Sequence, residues 1–344
     1  MCNIAGYIGT KTAAPILLDM MKKQEGFAGG YYIGLATIQG GKIDYRKMIG
    51  HTRLLEETTD VLSLIGTVGI CHSRSKGTAG VEWAHPFVSA RKGYIDAAYI
   101  ANGNGSVLYA PPETKDVITK ELYDEDYPLY SRSSAPSTAY PHLPDGTSVH
   151  ISDVMCQLIT KGFNEGLPLP KAMERAYIQL PSQVVGLYMH ETESNALTYA
   201  RTNMPIFVAF ADHGAYIASS PTAFPEDAGE PQLLPAYSYG RITKDGFTAN
   251  MFSEKAATVA PIDAVARRKV YNTVMEFLGK GPTTFSEINK NVAHHFEEAD
   301  MLQKAPAIYE VLYALQKQNA IEITRDFIIG PHGIEVPVNI IKLI

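Results

Sequence analysis

Hydrophobic and polar positions alternate in two rhythms along the chain. Asn3-Ile4-Ala5-Gly6-Tyr7-Ile8-Gly9 is a short apolar run closed by glycine, the pattern of a strand. Over residues 13–24 the period lengthens: Ile16, Leu17, Met20 and Met21 fall on one helical face, and Gly26 ends the element. Residues 33–39 and 42–48 flank Gly40-Gly41, a two-residue hairpin signal. Strand-like runs recur at 67–72 and 97–101. Further hairpins are predicted over 184–190 with 197–201, 206–211 with 215–219, and 237–243 with 247–250. Two helical patterns, 152–162 and 171–179, lie between them. Hairpins interrupted by helices predict stacked sheets covered by helices, an α+β domain over residues 1–255.

Two stretches break this pattern. Residues 111–148 contain Pro111, Pro112, Pro128, Pro136, Pro141 and Pro144 around an acidic, tyrosine-rich middle at 121–130, which reads as a long loop or insertion. From residue 263 the rhythm becomes helical at 265–278, after a cap at Thr283-Thr284-Phe285-Ser286-Glu287, and at 305–318. Strands at 321–324 and 327–329, a Pro331-His332-Gly333 turn and a last strand complete a small winged-helix-like domain over 263–344.

Composition narrows the function classes. The 344 residues are 45% hydrophobic and 19% charged with a net charge of −6, an acidic balance that does not favour phosphate-backbone binding. In 263–344 the charges nearly cancel, and the presumed recognition helix offers Glu310 beside Lys317, so nucleic acid is not the expected partner. No apolar run approaches a membrane span, and the first twenty residues lack a secretory pattern. Cys2, Cys71 and Cys156 are too few for a disulfide framework, and their spacing suggests no zinc site. A cytoplasmic protein with neither metal nor cofactor is expected. His294-His295 with Glu297-Glu298 reads as a solvated helix face rather than a ligand set.

Cys2 becomes the first residue if Met1 is removed, which a small second residue permits. An N-terminal cysteine carries both a thiol and an α-amine whose ordinary pKa is about 7.7–8.0, a nucleophile with its own proton shuttle. His72-Ser73-Arg74 ends a predicted strand, placing a guanidinium at a sheet edge where it could fork onto a carboxylate. His85-Pro86 lies in a glycine-rich loop, and Asn102-Gly103 follows a strand, where an amide and a backbone N–H would make an oxyanion hole. Each has a plainer reading: Arg74 in a surface ion pair, His85 as a bonded loop residue, Asn102-Gly103 as a hairpin turn, Cys2 as a small buried side chain.

In this order these residues resemble the class II glutamine amidotransferases, which are N-terminal-nucleophile hydrolases. Residues 1–9 look like the family's start, 67–74 like its Gly-His-Thr-Arg strand, Ala84-His85-Pro86 matches its Ala-His-Pro, and 100–103 resembles its His-Asn-Gly strand. Weaker similarity runs to about residue 250. The resemblance implies a four-layer αββα fold and hydrolysis of glutamine to glutamate and ammonia. It makes Cys2 the nucleophile and Asn102 and Gly103 the oxyanion donors, with Arg74 holding the substrate carboxylate. His85 and Ser73 lie beside the substrate, and Asp153 stands near its amino group. The chain departs from the family at Asn3, Glu25, Ser75, Ala101 and Ile151. No acceptor motif follows the hydrolase pattern, so ammonia is expected to pass to a separate synthetase subunit. The rivals are a non-catalytic ligand- or partner-binding relative and a DNA-binding regulator using the winged helix.

Overall fold

The strand Asn3–Gly9 divides its side chains between two cores, Ile4 and Ile8 on one face and Ala5 and Tyr7 on the other, as a period of two requires. It occupies the centre of a seven-stranded sheet. The order is Gln232–Leu233, Phe207–Ala211, Gly214–Ala218, Asn3–Gly9, Val68–Arg74, Tyr32–Gln39 and Lys42–Ile49. A second sheet runs Gly246–Phe247, Ser238–Thr243, Leu197–Arg201, Ser182–His190, Ala97–Leu108 and Phe87–Ser89, with Asn250–Met251 also on Ser238–Thr243. This computed structural model describes residues 2–344 except 76, 78–79, 92, 109–110, 112, 135–138, 254–263, 297–302 and 331–332; of 104–108 it describes the backbone alone.

The two sheets close on each other through Ile4, Ile8 and Ile70 of the first and Ile100, Val185 and Leu187 of the second. The helix Ala13–Gln24 covers the outer face of the first sheet, packing Leu17 and Met21 against Ala5, Tyr7 and Cys71. The helices Ile151–Asn164 and Leu169–Gln179 cover the second, packing Cys156, Ile159 and Met173 against Tyr99 and Tyr188. The result is four layers, helix, sheet, sheet, helix. Cys71 and Cys156 sit inside the two outer cores, where burial pushes both thiols well above their ordinary range.

Most predicted elements are present within a few residues of their expected bounds. Gly40 and Gly41 have φ of +56° and +81°, the paired positive angles of a two-residue hairpin turn. Three readings change. The expected insertion at 111–148 contains a helix, Thr114–Asp124, which sets Ile118 and Leu122 one turn apart against the second sheet's outer core. Its downstream limb is tied by reciprocal backbone bonds between Ser133 and Ser148, 2.9 Å each. The strand predicted over 97–101 continues to Leu108, so Asn102-Gly103 lies within it, opposite Val185 and Val184, rather than at its end or in a turn. Strands 321–324 and 327–329 are one strand, Ile321–Ile329.

In the C-terminal part, helices Ala264–Gly279, Phe285–Val292 and Lys304–Lys317 pack beside a three-stranded sheet of Thr283–Thr284, Glu335–Leu343 and Ile321–Ile329. Thr284 and Glu287 form the reciprocal capping box that their spacing predicts. The boundary expected between 255 and 263 lies outside the described residues, as do Pro331 and His332 of the predicted turn and Glu297-Glu298. His294 and His295 lie in a 3-10 turn, His294 exposed to solvent, and His295 Nε2 bonds the Thr273 hydroxyl at 2.6 Å.

The C-terminal part grips the loop after the first helix. Phe27 is buried against Phe285 and Tyr309, Asn339 N donates to Gly26 O at 3.1 Å, and Arg325 Nη2 donates to Glu25 O at 2.9 Å.

Candidate active site

The N-terminal end of Asn3–Gly9 meets the middle of Ala97–Leu108, and polar bonds stitch the two sheets together there. The backbone N of Cys2 donates to Asn102 Oδ1 at 3.2 Å. Asn102 Nδ2 donates to Ser219 Oγ at 3.3 Å, and that oxygen also accepts the Ile4 N–H at 3.0 Å. His72 Nε2 donates to Ala101 O at 2.9 Å. Asn102 is 2% exposed, and one of its amide hydrogens has no partner among the described residues. Cys2 carries a free thiol and is half-buried. Next to Asn102, Gly103 has φ +145°, and a Cβ there would lie 1.9 Å from Gln183 O, so only glycine fits. The structure therefore brings Cys2, Asn102 and Gly103 together at one point.

Arg74 ends the neighbouring strand and is 7% exposed. Its Nη1 donates to Trp83 O at 3.1 Å and its Nη2 to the Tyr140 hydroxyl at 3.0 Å. The rings of Tyr32 and Trp83 lie 5.3 and 5.7 Å from the guanidinium carbon. Trp83 Nε1 in turn donates to Ser131 O at 2.8 Å. Trp83 and Tyr140 are not among the site residues that the sequence predicts. The lone tryptophan was one available signal; Tyr140, inside a proline-rich stretch, offered none.

Three expected substrate contacts turn elsewhere. His85 is buried inside, its ring 3.8 Å from that of His72 and 4.6 Å from Phe87, with neither ring nitrogen partnered. Lys47 Nζ, pushed down to about 8 by burial, donates to Ala84 O and Pro86 O and fixes this segment from behind. Ser73 donates to Glu25 Oε1 at 2.6 Å and accepts the Gly30 N–H at 2.8 Å, so its hydroxyl hydrogen is directed at loop 24–30. Asp153 is fully buried and accepts both the N–H and the hydroxyl of Ser131 at 2.8 Å, so it anchors the insertion's limb instead of meeting an amino group. Burial pushes its carboxyl above the usual range, as it does for Glu25. Ile151, at the other candidate position, is the first residue of its helix and faces the core.

The departures at Asn3 and Glu25 are built into one network. Asn3 Nδ2 donates to Gln24 O at 3.0 Å and Ala28 O at 2.7 Å, and Gln24 Nε2 returns a bond to Ile4 O at 2.9 Å. Glu25 accepts from Ser73 and from the Thr52 N–H at the start of the helix Thr52–Thr58. The residue after Cys2 and the residue before Arg74 thus hold the same loop, 24–30.

Burial and the neighbouring Arg74 hold His72 down to about 3, and burial holds His85 and His150 well below their ordinary range. His72 is therefore neutral when folded, while the unfolded imidazole takes a proton near pH 6.5. Between those values the unfolded chain binds more protons, so stability from this group is full above about pH 6.5 and is lost as pH falls toward 3. From pH 7 to pH 5 His72 alone should remove about 2 kcal/mol. The raised carboxyls of Asp153 and Glu25 act in the opposite sense. The difference between wild type and His72→Gln in urea unfolding at the two pH values isolates the effect: the variant should lose less stability on acidification.

No group of three His, Cys, Asp or Glu side chains that could hold a metal occurs among the described residues, and no helix among them is long and apolar enough to cross a membrane.

No family model matches the chain. It is 25% identical over 318 residues to the glutamine–fructose-6-phosphate aminotransferase of Agrobacterium fabrum, covering 91% of this chain and 44% of that protein. To the protein of the same name from Clostridium tetani it is 28% identical over 248 residues, 72% of this chain and 36% of the relative. The chain thus spans less than half the length of these curated relatives. Among solved structures, the glutamine phosphoribosylpyrophosphate amidotransferase of B. subtilis covers 80% of this chain, with 58% of its own, at a TM-score of 0.58 and 17% identity. The chain shares its fold with that amidotransferase.

Proposed function

We propose that the protein hydrolyses the side-chain amide of glutamine with the thiol of Cys2, after removal of Met1. The observation that carries this reading is the 3.2 Å bond from Cys2 N to Asn102 Oδ1, which joins the nucleophile's own nitrogen to the amide beside Gly103. The relatives named as glutamine aminotransferases support the amide as substrate.

With Met1 gone, the Cys2 nitrogen is an amine. Donating one hydrogen to Asn102 Oδ1 fixes its orientation and leaves its lone pair to take the thiol proton. The sulfur attacks the amide carbon, and negative charge moves onto the carbonyl oxygen. The unpartnered hydrogen of Asn102 Nδ2 and the Gly103 N–H are the donors for that oxyanion. As the tetrahedral intermediate collapses, the C–N bond breaks, the α-ammonium gives its proton to the leaving nitrogen, and ammonia departs. Water then attacks the thioester, releasing glutamate and restoring the thiol. Arg74 binds the substrate's α-carboxylate.

We read residues 263–344 as a winged-helix-like module and the ammonia's acceptor as a separate synthetase subunit. The grip of Phe27, Asn339 and Arg325 on loop 24–30 supports a C-terminal part that serves the hydrolase rather than nucleic acid. Glutamate and ammonia measured after incubation with L-glutamine test the proposal. Equal amounts of both are expected; absence of glutamate from protein shown to lack Met1 favours the non-catalytic relative.

A further inference from the structure

We propose that Tyr140 is a specificity-determining residue, its hydroxyl forming with the Arg74 guanidinium a single clamp for the α-carboxylate of the substrate. The inference rests on the glutaminase reading and extends it to a segment outside the resemblance's specific motifs.

Arg74 is a cation more than nine-tenths buried, and both of its hydrogen-bond partners, Trp83 O and the Tyr140 hydroxyl, are neutral. Among the described residues no carboxylate forms an ion pair with it. The acids nearby are engaged: Glu25 with Ser73 and Thr52, Asp153 with Ser131, and Glu82 with the Gly80 N–H. Among the described residues two of its five N–H donors are used, and three remain. Burying a guanidinium without a counter-ion is unfavourable, so the site is completed by an anion.

Tyr140 specifies which anion. Because its oxygen accepts from Arg74 Nη2, its own hydrogen is directed elsewhere, and it has no acceptor among the described residues. The ring is wedged between Trp83 at 4.6 Å and His150 at 5.1 Å. The backbone beside it is pinned by Val149 N donating to Pro141 O at 2.9 Å. A phenol hydroxyl on a fixed ring therefore stands next to guanidinium hydrogens without a partner among the described residues. A planar carboxylate has one oxygen for each, which makes the pair a bidentate receptor of mixed donors. Tyr140, from within the predicted insertion, thereby becomes part of the substrate site.

Tyr140→Phe keeps the ring and removes the hydrogen. In the full chain it should lower kcat/KM for L-glutamine about tenfold, the effect carried by KM, since the lost bond is present in ground and transition states alike. Hydrolysis of γ-aminobutyramide, which has the amide and amine but no carboxylate, should not respond. Alkylation of Cys2 by iodoacetamide should not respond either. Calorimetric titration with L-glutamate separates this inference from the glutaminase reading. If wild type binds glutamate about tenfold tighter than Tyr140→Phe but releases no ammonia from glutamine, the clamp stands and the glutaminase reading fails. If the two proteins bind glutamate equally, or the variant binds it more tightly because Tyr140 merely plugs Arg74, the clamp is overturned whatever the turnover. Absence of glutamate binding by wild type overturns it too.

Discussion

Cys2→Ala should lower glutamine turnover by about 10⁴-fold or more, to the background of the assay, because the covalent route has no other nucleophile. Cys71 and Cys156 cannot substitute. Both are fully buried in the outer cores, and burial holds their thiols well above the range in which a thiolate forms. The variant should fold as wild type does, since Cys2 is half-buried and its thiol is free. Ammonia release, measured against matched wild-type protein with equal thermal midpoints, checks this. Turnover surviving in Cys2→Ala would move the chemistry to another group.

Asn102→Ala should reduce kcat by about 10²–10³, the usual consequence of losing one oxyanion donor, with a smaller effect on KM. Asn102 also accepts the Cys2 N–H and donates to Ser219, so a purely structural role has to be separated from the electrostatic one. Asn102→Asp makes that separation. It retains the acceptor for Cys2 and places a negative charge where the oxyanion would form, so its kcat should fall at least as far as that of the alanine variant. Alkylation of Cys2 by a small neutral electrophile, which builds no oxyanion, should change far less in either variant. Asn102→Asp with near wild-type kcat would show that Asn102 only positions Cys2.

Local chemistry made much of this fold legible. Apolar spacing at Leu17, Met20 and Met21, the Gly40-Gly41 turn and the Thr284–Glu287 box each act within a few residues, and each element appears where its pattern predicts. The helix Thr114–Asp124 was hidden because prolines flank it and its apolar face is only Ile118 and Leu122. Asn102-Gly103 looks like a turn by composition. It stays in the strand because Val184 and Val185 of the partner strand hold it there.

At the site, Cys2 and Arg74 stand at strand ends and Asn102 lies inside a strand, but long-range partners decide what each side chain does. Ser73 is taken by Glu25, Asp153 by Ser131, and His85 by the rings around it. None of those pairings has a local spacing that betrays it. Tyr140 reaches Arg74 across 66 positions of sequence, and only the folded chain reveals it.

Intact mass spectrometry before and after treatment with diazo-oxonorleucine, a glutamine-like electrophile, tests the central claim most directly. The purified protein should lack the mass of Met1 and gain one adduct, which peptide mapping places on Cys2. Retained Met1 would leave the Cys2 nitrogen an amide without a lone pair for proton transfer. That result, or a processed protein that takes no adduct on Cys2, would contradict the N-terminal nucleophile.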